Sequence, residues 1–227
     1  MLEIVSPNRI NDSPYRRRLA EAGIKGGWNY ALDHAWLFEK IDQYLKSSAI
    51  KFPVIVDVGC GNSMFHPFLE KELSLGIIGI DRINGLCPHP QRTNLMDYCV
   101  DFRTYTGFPE NSADIIFWLS SIEHNSLEGQ RECLRASLRV LKPGGLFLAT
   151  FGFAPETLYY EPSQQTNLSA VDAARVFGVE WKDTPDFYRT VEEFRLDLME
   201  WDTRHTKRYQ THDYAFVVAG AEIIKTG

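Results

Sequence analysis

The chain has 227 residues, 44% of them apolar, which is enough for one α/β domain with a sizeable core. Its formal net charge of −6 argues against a general nucleic-acid-binding surface. No stretch approaches the length of a membrane span, and no signal peptide is visible. The cysteines lack C-x-x-C spacing, which predicts no zinc or redox motif and suits reduced thiols in the cytoplasm; they are Cys60, Cys87, Cys99 and Cys133.

The N-terminal part predicts two helices after an irregular start. Residues 1–14 contain prolines and turn-forming side chains, and we expect no regular structure there. A helix is predicted from Pro14 to Ala22, and a second from about Tyr30 to Ser47, where apolar residues recur at helical spacing.

Residues 53–63 predict a strand, a glycine turn and a helix. The β-branched run Val54–Val56 suits a strand buried on both faces of a parallel sheet. Gly59 and Gly61 then allow a sharp turn and the approach of a ligand to bare backbone. Ser63 is a candidate N-cap for a helix from Met64 to Leu73. This unit predicts a nucleotide-binding crevice at the carboxyl end of the strand.

Two classes of ligand use such a turn, a dinucleotide and S-adenosylmethionine. A dinucleotide prefers a third glycine where this chain has Met64, and its pyrophosphate would be repelled by Asp57. S-adenosylmethionine has no phosphate, and its ammonium group favours a carboxylate at Asp57. Asp81, which ends a second predicted strand at residues 76–80, suits the ribose hydroxyls of either ligand.

Three further strands and two helices follow. Asp114–Leu119 reads as a buried central strand, and the polar segment Ser120–Asn125 lies at its carboxyl end. Leu127–Leu141 is an amphipathic pattern that ends at Lys142-Pro143-Gly144-Gly145, before a strand at residues 146–150. A short helix is predicted from Ser169, as N-cap, to Phe177, and a last strand at residues 214–221.

Four motifs follow one another along the chain: Val56-Asp57-Val58-Gly59-Cys60-Gly61, Asp81, Asp114 and Leu141-Lys142-Pro143-Gly144-Gly145. In this order they resemble the motifs of class I S-adenosylmethionine-dependent methyltransferases. Within that family the chain is most similar to the type 11, ubiquinone-type small-molecule group. The resemblance covers residues 53–151 and departs from the usual pattern at Ser63, where a third glycine is common.

The resemblance implies an α/β, Rossmann-like, doubly wound sheet of seven strands in the order 3-2-1-4-5-7-6, with strand seven antiparallel. It also implies a single domain over residues 1–227. Residues 1–50 would form a helical lid, with Trp28, Asn29 and Tyr30 as candidate lid residues, and residues 51–151 the S-adenosylmethionine-binding core. Residues 152–190 would be a substrate-pocket insertion, and residues 191–227 the C-terminal strands.

The resemblance also assigns candidate site residues. The cofactor-binding set is Asp57, Gly59, Cys60, Gly61, Asp81, Arg82, Asp97, Asp101 and Leu119. Asp97 and Asp101 compete for the adenine amino group. His124 is the candidate general base and Glu123 could orient it or bind the donor, although a purely structural pair remains open. No metal site is predicted.

The predicted function is methyl transfer from S-adenosylmethionine to a small molecule or glycan, with oxygen as the expected acceptor atom. An NAD-dependent oxidoreductase and a non-catalytic S-adenosylmethionine-binding protein remain as alternatives. No nucleic-acid or membrane partner is expected, and the sequence does not determine the oligomeric state.

Overall fold

The computed structural model describes residues 1–24, 28–61, 64–82, 98–161, 164–205 and 217–227, with residues 28–30 and 197–205 described by their backbone alone. The strands of the described part are β1 (Leu2–Ile4), β2 (Ile55–Val58), β3 (Ile77–Asp81), β4 (Tyr98–Cys99), β5 (Ala113–Trp118), β6 (Leu141–Phe153), β7 (Leu158–Tyr160), β8 (Gln165–Asn167) and β9 (Val217–Ile224). Seven of them form one sheet in the order β1-β9-β6-β5-β2-β3-β4, and β7 and β8 form a separate hairpin.

Helices cover this sheet. They are α1 (Pro7–Asn11), α2 (Pro14–Glu21), α3 (Trp28–Ser47), α4 (Phe65–Leu73), α5 (Leu127–Val140), α6 (Ala170–Phe177) and α7 (Phe187–His205), and a 3-10 segment spans Ile122–His124. Helix α3 packs against α4, β6 and β9, whereas α5 packs against β6 and α6. The core thus lies between the sheet and its helices.

The central strands are buried along their whole length. Every residue of β2 and of β5 is buried, as expected for strands that are covered on both faces. Strand β2 pairs in parallel with both β3 and β5, and β5 pairs in parallel with β6. The carboxyl ends of these strands therefore meet at one edge, which is where ligands bind in open α/β sheets. The predicted Rossmann-like fold is confirmed.

The predicted helices at Pro14, Tyr30 and Met64 are present as α2, α3 and α4. Helix α6 is capped as expected, because the Ser169 side chain accepts a hydrogen bond from the backbone N–H of Asp172. Strand β9 runs antiparallel to β6, which confirms the predicted reversed strand. The predicted cap Ser63 lies outside the described residues.

The sheet edge beyond β9 differs from the sequence prediction. Residues 1–14 were expected to be irregular, which is wrong: β1 pairs antiparallel with β9, and α1 follows it. The N-terminal strand occupies the edge position that the family order assigns to strand six. Its Glu3 carboxylate accepts a hydrogen bond from Trp36 Nε1 at 2.7 Å and pairs with Lys40 Nζ at 2.8 Å. Three residues are too few for a period-two pattern, and these partners come from α3, so the sequence alone carried no signal.

Replacing Glu3 by alanine is expected to lower the stability of the fold. The change leaves the buried Trp36 N–H without its acceptor, and an orphaned buried group costs about 1–3 kcal/mol. Thermal and urea unfolding should show this loss, whereas Glu128→Ala, at an exposed position, should unfold close to the wild-type midpoint. Equal unfolding midpoints for the two variants would show that Glu3 does not anchor β1.

Candidate active site

A cavity of about 450 Å³ lies at the carboxyl ends of β2, β3 and β5. This volume is within the usual range of about 300–1,000 Å³ for small-molecule pockets. Among the residues that line it are Gly59, Gly61, Asp81, Arg82, Asp101, Ser120, Ser121 and His124. The structure therefore brings together side chains that the sequence places in four separate segments.

The glycine turn forms one wall of the cavity. Gly59 has φ +74°, and a Cβ at this position would lie 2.4 Å from the Ser121 Cβ. Gly61 has φ +50°, and nothing lies within 4 Å of the place where its Cβ would be. The backbone at Gly61 therefore faces open space, which fits the close approach of a bound nucleoside, whereas Gly59 makes room for Ser121.

Asp81 holds this turn from the end of β3. Its Oδ2 accepts a hydrogen bond from the Gly61 N–H at 3.0 Å, and its side chain is buried at the cavity wall. A carboxylate in this position has the chemistry to accept hydrogen bonds from ribose hydroxyls. Arg82, the next residue, also lines the cavity.

Of the two residues predicted to contact the adenine amino group, only Asp101 lies within the described residues. It lines the cavity, and Arg103 Nε donates to its Oδ1 at 2.9 Å. This hydrogen bond and the guanidinium charge lower the pKa of Asp101. Asp97 lies outside the described residues, so the choice between the two stays a prediction.

Three predicted cofactor residues are not among those that line the cavity. The Asp57 carboxylate is buried and lies 3.0 Å from His66 Nδ1. Cys60 is buried, and its N–H donates to the Ile80 carbonyl oxygen at 3.1 Å; Leu119 packs against the core. The Asp57–His66 contact does not favour the predicted role of Asp57 at the donor's ammonium group, which remains a prediction.

His124 presents a basic nitrogen. Its Nδ1 lies 3.1 Å from the Gln164 carbonyl oxygen, and because a carbonyl only accepts, Nδ1 carries the proton. The Nε2 lone pair is then available to accept a proton, and the exposed ring lines the cavity. Gln164 rather than Glu123 bonds this imidazole. The sequence provided no signal for Gln164, because it acts through its backbone from a different loop.

Glu123 is buried beneath the 3-10 segment. Burial, with a smaller contribution from the charge of Asp33, raises its pKa to about 8. Its Oε2 has no hydrogen-bond partner. The carboxyl group is therefore neutral at pH 7, and it is not among the residues that line the cavity.

Sequence reasoning missed a hydrogen-bonded cluster that adjoins the cavity. The Ser120 hydroxyl donates to Asp33 Oδ2, and the Ser120 N–H donates to Thr150 Oγ1 at 2.9 Å. Asp33 lies in α3, 87 positions before Ser120, so only the packing of α3 on the sheet brings them together. A single carboxylate on a helix carries no local motif that would identify it.

Within the described segments, no group of three or more potential ligands is arranged to hold a metal ion. The same segments contain no helix that is long and apolar enough to cross a bilayer.

The chain matches one protein family and many solved structures. The family model described as a methyltransferase domain matches residues 56–149. A curated relative, a mitochondrial arginine hydroxylase of Danio rerio, is 30% identical over 109 residues, which are 48% of this chain and 33% of the relative. The chain thus spans about a third of the length of that relative.

Two solved structures illustrate the likeness in fold. The 1,6-didemethyltoxoflavin-N1-methyltransferase of Burkholderia thailandensis, which contains 1,6-didemethyltoxoflavin and S-adenosylhomocysteine, has a TM-score of 0.58 at 13% identity, covering 97% of this chain and 87% of its own. The (4+2)-cyclase SpnF has a TM-score of 0.57 at 20% identity, covering 89% of this chain and 84% of its own. At these identities the likeness shows the fold alone.

The family match spans β2 to β6, the strands whose carboxyl ends form the cavity. Over residues 56–149 the chain therefore matches a methyltransferase domain, in agreement with the resemblance to class I S-adenosylmethionine-dependent methyltransferases.

Proposed function

We propose that the protein transfers the methyl group of S-adenosylmethionine to a small-molecule acceptor, with oxygen as the acceptor atom. The observation that carries this proposal is the cavity itself. A bare glycine turn, Asp81 and an imidazole with an available Nε2 all line it.

The proposed roles divide the cavity into two parts. Gly59 and Gly61 admit the nucleoside, and Asp81 accepts hydrogen bonds from its ribose. Asp101, with Arg82 beside it on the cavity wall, is proposed for the adenine end. When bound, S-adenosylmethionine supplies an electrophilic methyl group on a sulfonium.

His124 is proposed to take the acceptor's proton. The hydrogen bond to the Gln164 carbonyl fixes the tautomer and the ring orientation, so that Nε2 is the nitrogen that accepts it. Glu123, buried and neutral at pH 7, would support this segment rather than exchange the proton itself. Of the N-terminal residues 1–50, which were expected to form a lid, α3 is proposed to cover the cavity, since it contacts the cavity wall through Asp33 and Ser120; β1 belongs to the central sheet instead.

A small polar acceptor or a glycan agrees with the net charge of −6, because an acidic protein does not favour a nucleic-acid substrate. The methyltransferase of similar fold from Burkholderia thailandensis acts on 1,6-didemethyltoxoflavin, as its name states. A cytoplasmic location is proposed because Cys60, Cys99 and Cys133 form no disulfide among the described residues.

Replacing Asp81 by alanine is expected to weaken the binding of S-adenosylmethionine by about tenfold or more. A hydrogen bond to a charged group contributes about 1.5–3 kcal/mol, and Asp81 also holds the Gly61 N–H. Titration calorimetry on the folded variant measures the effect. Unchanged affinity with an unchanged circular dichroism spectrum would remove the ribose assignment.

The test of the proposed function has two stages. Calorimetry with S-adenosylmethionine and with NADH separates a methyltransferase from an oxidoreductase. Incubation with methyl-labelled donor and a panel of hydroxyl and amine acceptors then tests transfer. Binding of the donor without transfer to any acceptor would favour a binding protein, or another reaction on this fold, as the names of SpnF and the zebrafish relative illustrate.

A further inference from the structure

Asp33 is a buried carboxylate that the proposed function does not use. Its side chain is 1% exposed, and its Oδ1 is buried without a hydrogen-bond partner. No lysine or arginine of the described segments forms a salt bridge with it, whereas Asp42, on the same helix, pairs with Lys46 at 2.6 Å. Proteins rarely retain such a group, because burying an unpaired charge is costly.

Ser120 connects this carboxylate to the cavity. The serine lines the cavity, and its hydroxyl proton is directed to Asp33. Its backbone has φ +45°, a conformation that is unfavourable for a residue with a side chain. Hydrogen bonds to Asp33 and Thr150 hold it there, and strain maintained by its surroundings in this way is typical of functional sites.

The other titratable groups near Asp33 do not supply a counter-charge. Burial lowers the pKa of His34, the next residue, to about 3, so its ring is neutral, and it stacks on Phe65. Glu123, whose pKa is about 8, is neutral at pH 7. Burial raises the pKa of Asp33 itself to about 7, although hydrogen bonds from Ser120 and Thr150 oppose the change.

The topology indicates what could reach this position. Strands β3 and β5 lie on either side of β2, so Asp81 and Ser120 flank the glycine turn. A donor whose ribose lies at Asp81 and which crosses the turn directs its methionine end toward Ser120. That end carries an ammonium, a carboxylate and a sulfonium and is cationic overall, and Asp57, which was expected to balance the ammonium group, is in contact with His66.

We propose that Asp33 is the counter-charge for the cationic methionine end of the donor and that it acts through Ser120 as a positioning residue. This inference rests on the proposed use of S-adenosylmethionine. A cation favours the ionised carboxylate, so binding removes the proton from Asp33, and donor affinity increases with pH up to about neutrality.

Titration calorimetry of the full chain tests this without an acceptor. For the wild-type protein near pH 6.5, S-adenosylmethionine should release a proton, seen as a dependence of the binding enthalpy on the ionisation enthalpy of the buffer. In Asp33→Asn the release should disappear, the affinity at about pH 7.5 should fall by about tenfold, and the affinity should no longer vary between about pH 5.5 and 7.5.

Two controls match this design. Asp42→Asn changes another carboxylate of α3, one that is already paired with Lys46, and should bind the donor with wild-type affinity and proton release. 5′-Methylthioadenosine contains the adenosine and the sulfur but no cationic group. Its binding should release no proton and should be equal in the wild type and in Asp33→Asn.

The stability of the variant separates the inference from a structural role. Because the asparagine removes a buried charge, Asp33→Asn should melt at or above the wild-type temperature, whereas a purely structural Asp33 predicts a lower one. Wild-type donor binding without proton release, or with the same release in Asp33→Asn, overturns the inference and leaves the proposed function intact. If the wild type does not bind the donor, both fail.

Discussion

Replacing His124 by alanine should reduce methyl transfer by about 10²–10⁴, the usual contribution of a positioned general base. The reason is geometric, because Nε2 is the proton-accepting nitrogen once Nδ1 is bonded to the Gln164 carbonyl, and the ring lies on the cavity wall. The affinity for S-adenosylmethionine should change little, since this nitrogen is proposed to contact the acceptor. Turnover is measured with a substrate from the acceptor panel, and donor binding by calorimetry.

Glu128→Ala is the control for this experiment, because Glu128 is exposed and lies in the first turn of α5, the next helix. A folded His124→Ala protein with wild-type turnover would show that His124 is not the base. The next candidates are then Tyr159 and Tyr160 on β7, in the insertion that follows β6. Loss of donor binding at unchanged stability would instead assign His124 to the donor.

Gly61→Val is expected to abolish detectable binding of S-adenosylmethionine while the fold persists. The valine side chain would enter the space next to Gly61 in which nothing lies within 4 Å, and that space is the cavity. At φ +50°, a β-branched residue also strains the turn by about 1–3 kcal/mol. Calorimetry measures binding, and circular dichroism with thermal unfolding measures the fold.

A second glycine separates occlusion from strain. Gly178 ends α6 at φ +66°, also with nothing within 4 Å of its would-be Cβ, and it is not among the residues that line the cavity. Gly178→Val should therefore lose comparable stability and still bind the donor. If Gly61→Val binds as well as Gly178→Val does, the donor does not lie across this turn.

Local patterns in the sequence were sufficient for the core of the fold. Strands β2 and β5 are mostly apolar, apart from Asp57 and Asp114, because both of their faces are covered, and such runs can be recognised from the sequence alone. The glycine turn follows β2, Asp81 ends β3, and His124 lies in the 3-10 segment after β5; parallel strands bring their carboxyl ends together. Their convergence on one cavity followed from the topology and was predictable for that reason.

Contacts between distant segments were decided by the tertiary structure alone. Strand β1 has three residues and is held by Trp36 and Lys40 of α3, so no local periodicity in the sequence predicted it. The Gln164 carbonyl oxygen accepts the hydrogen bond from His124, and a backbone contact of this kind does not depend on which side chain stands at position 164. Asp33 meets Ser120 only because α3 packs on the sheet. Motifs at strand ends are local, so they can be recognised in the sequence. Which distant residue contacts a given side chain depends on how helices and loops pack, and only the folded chain specifies that packing.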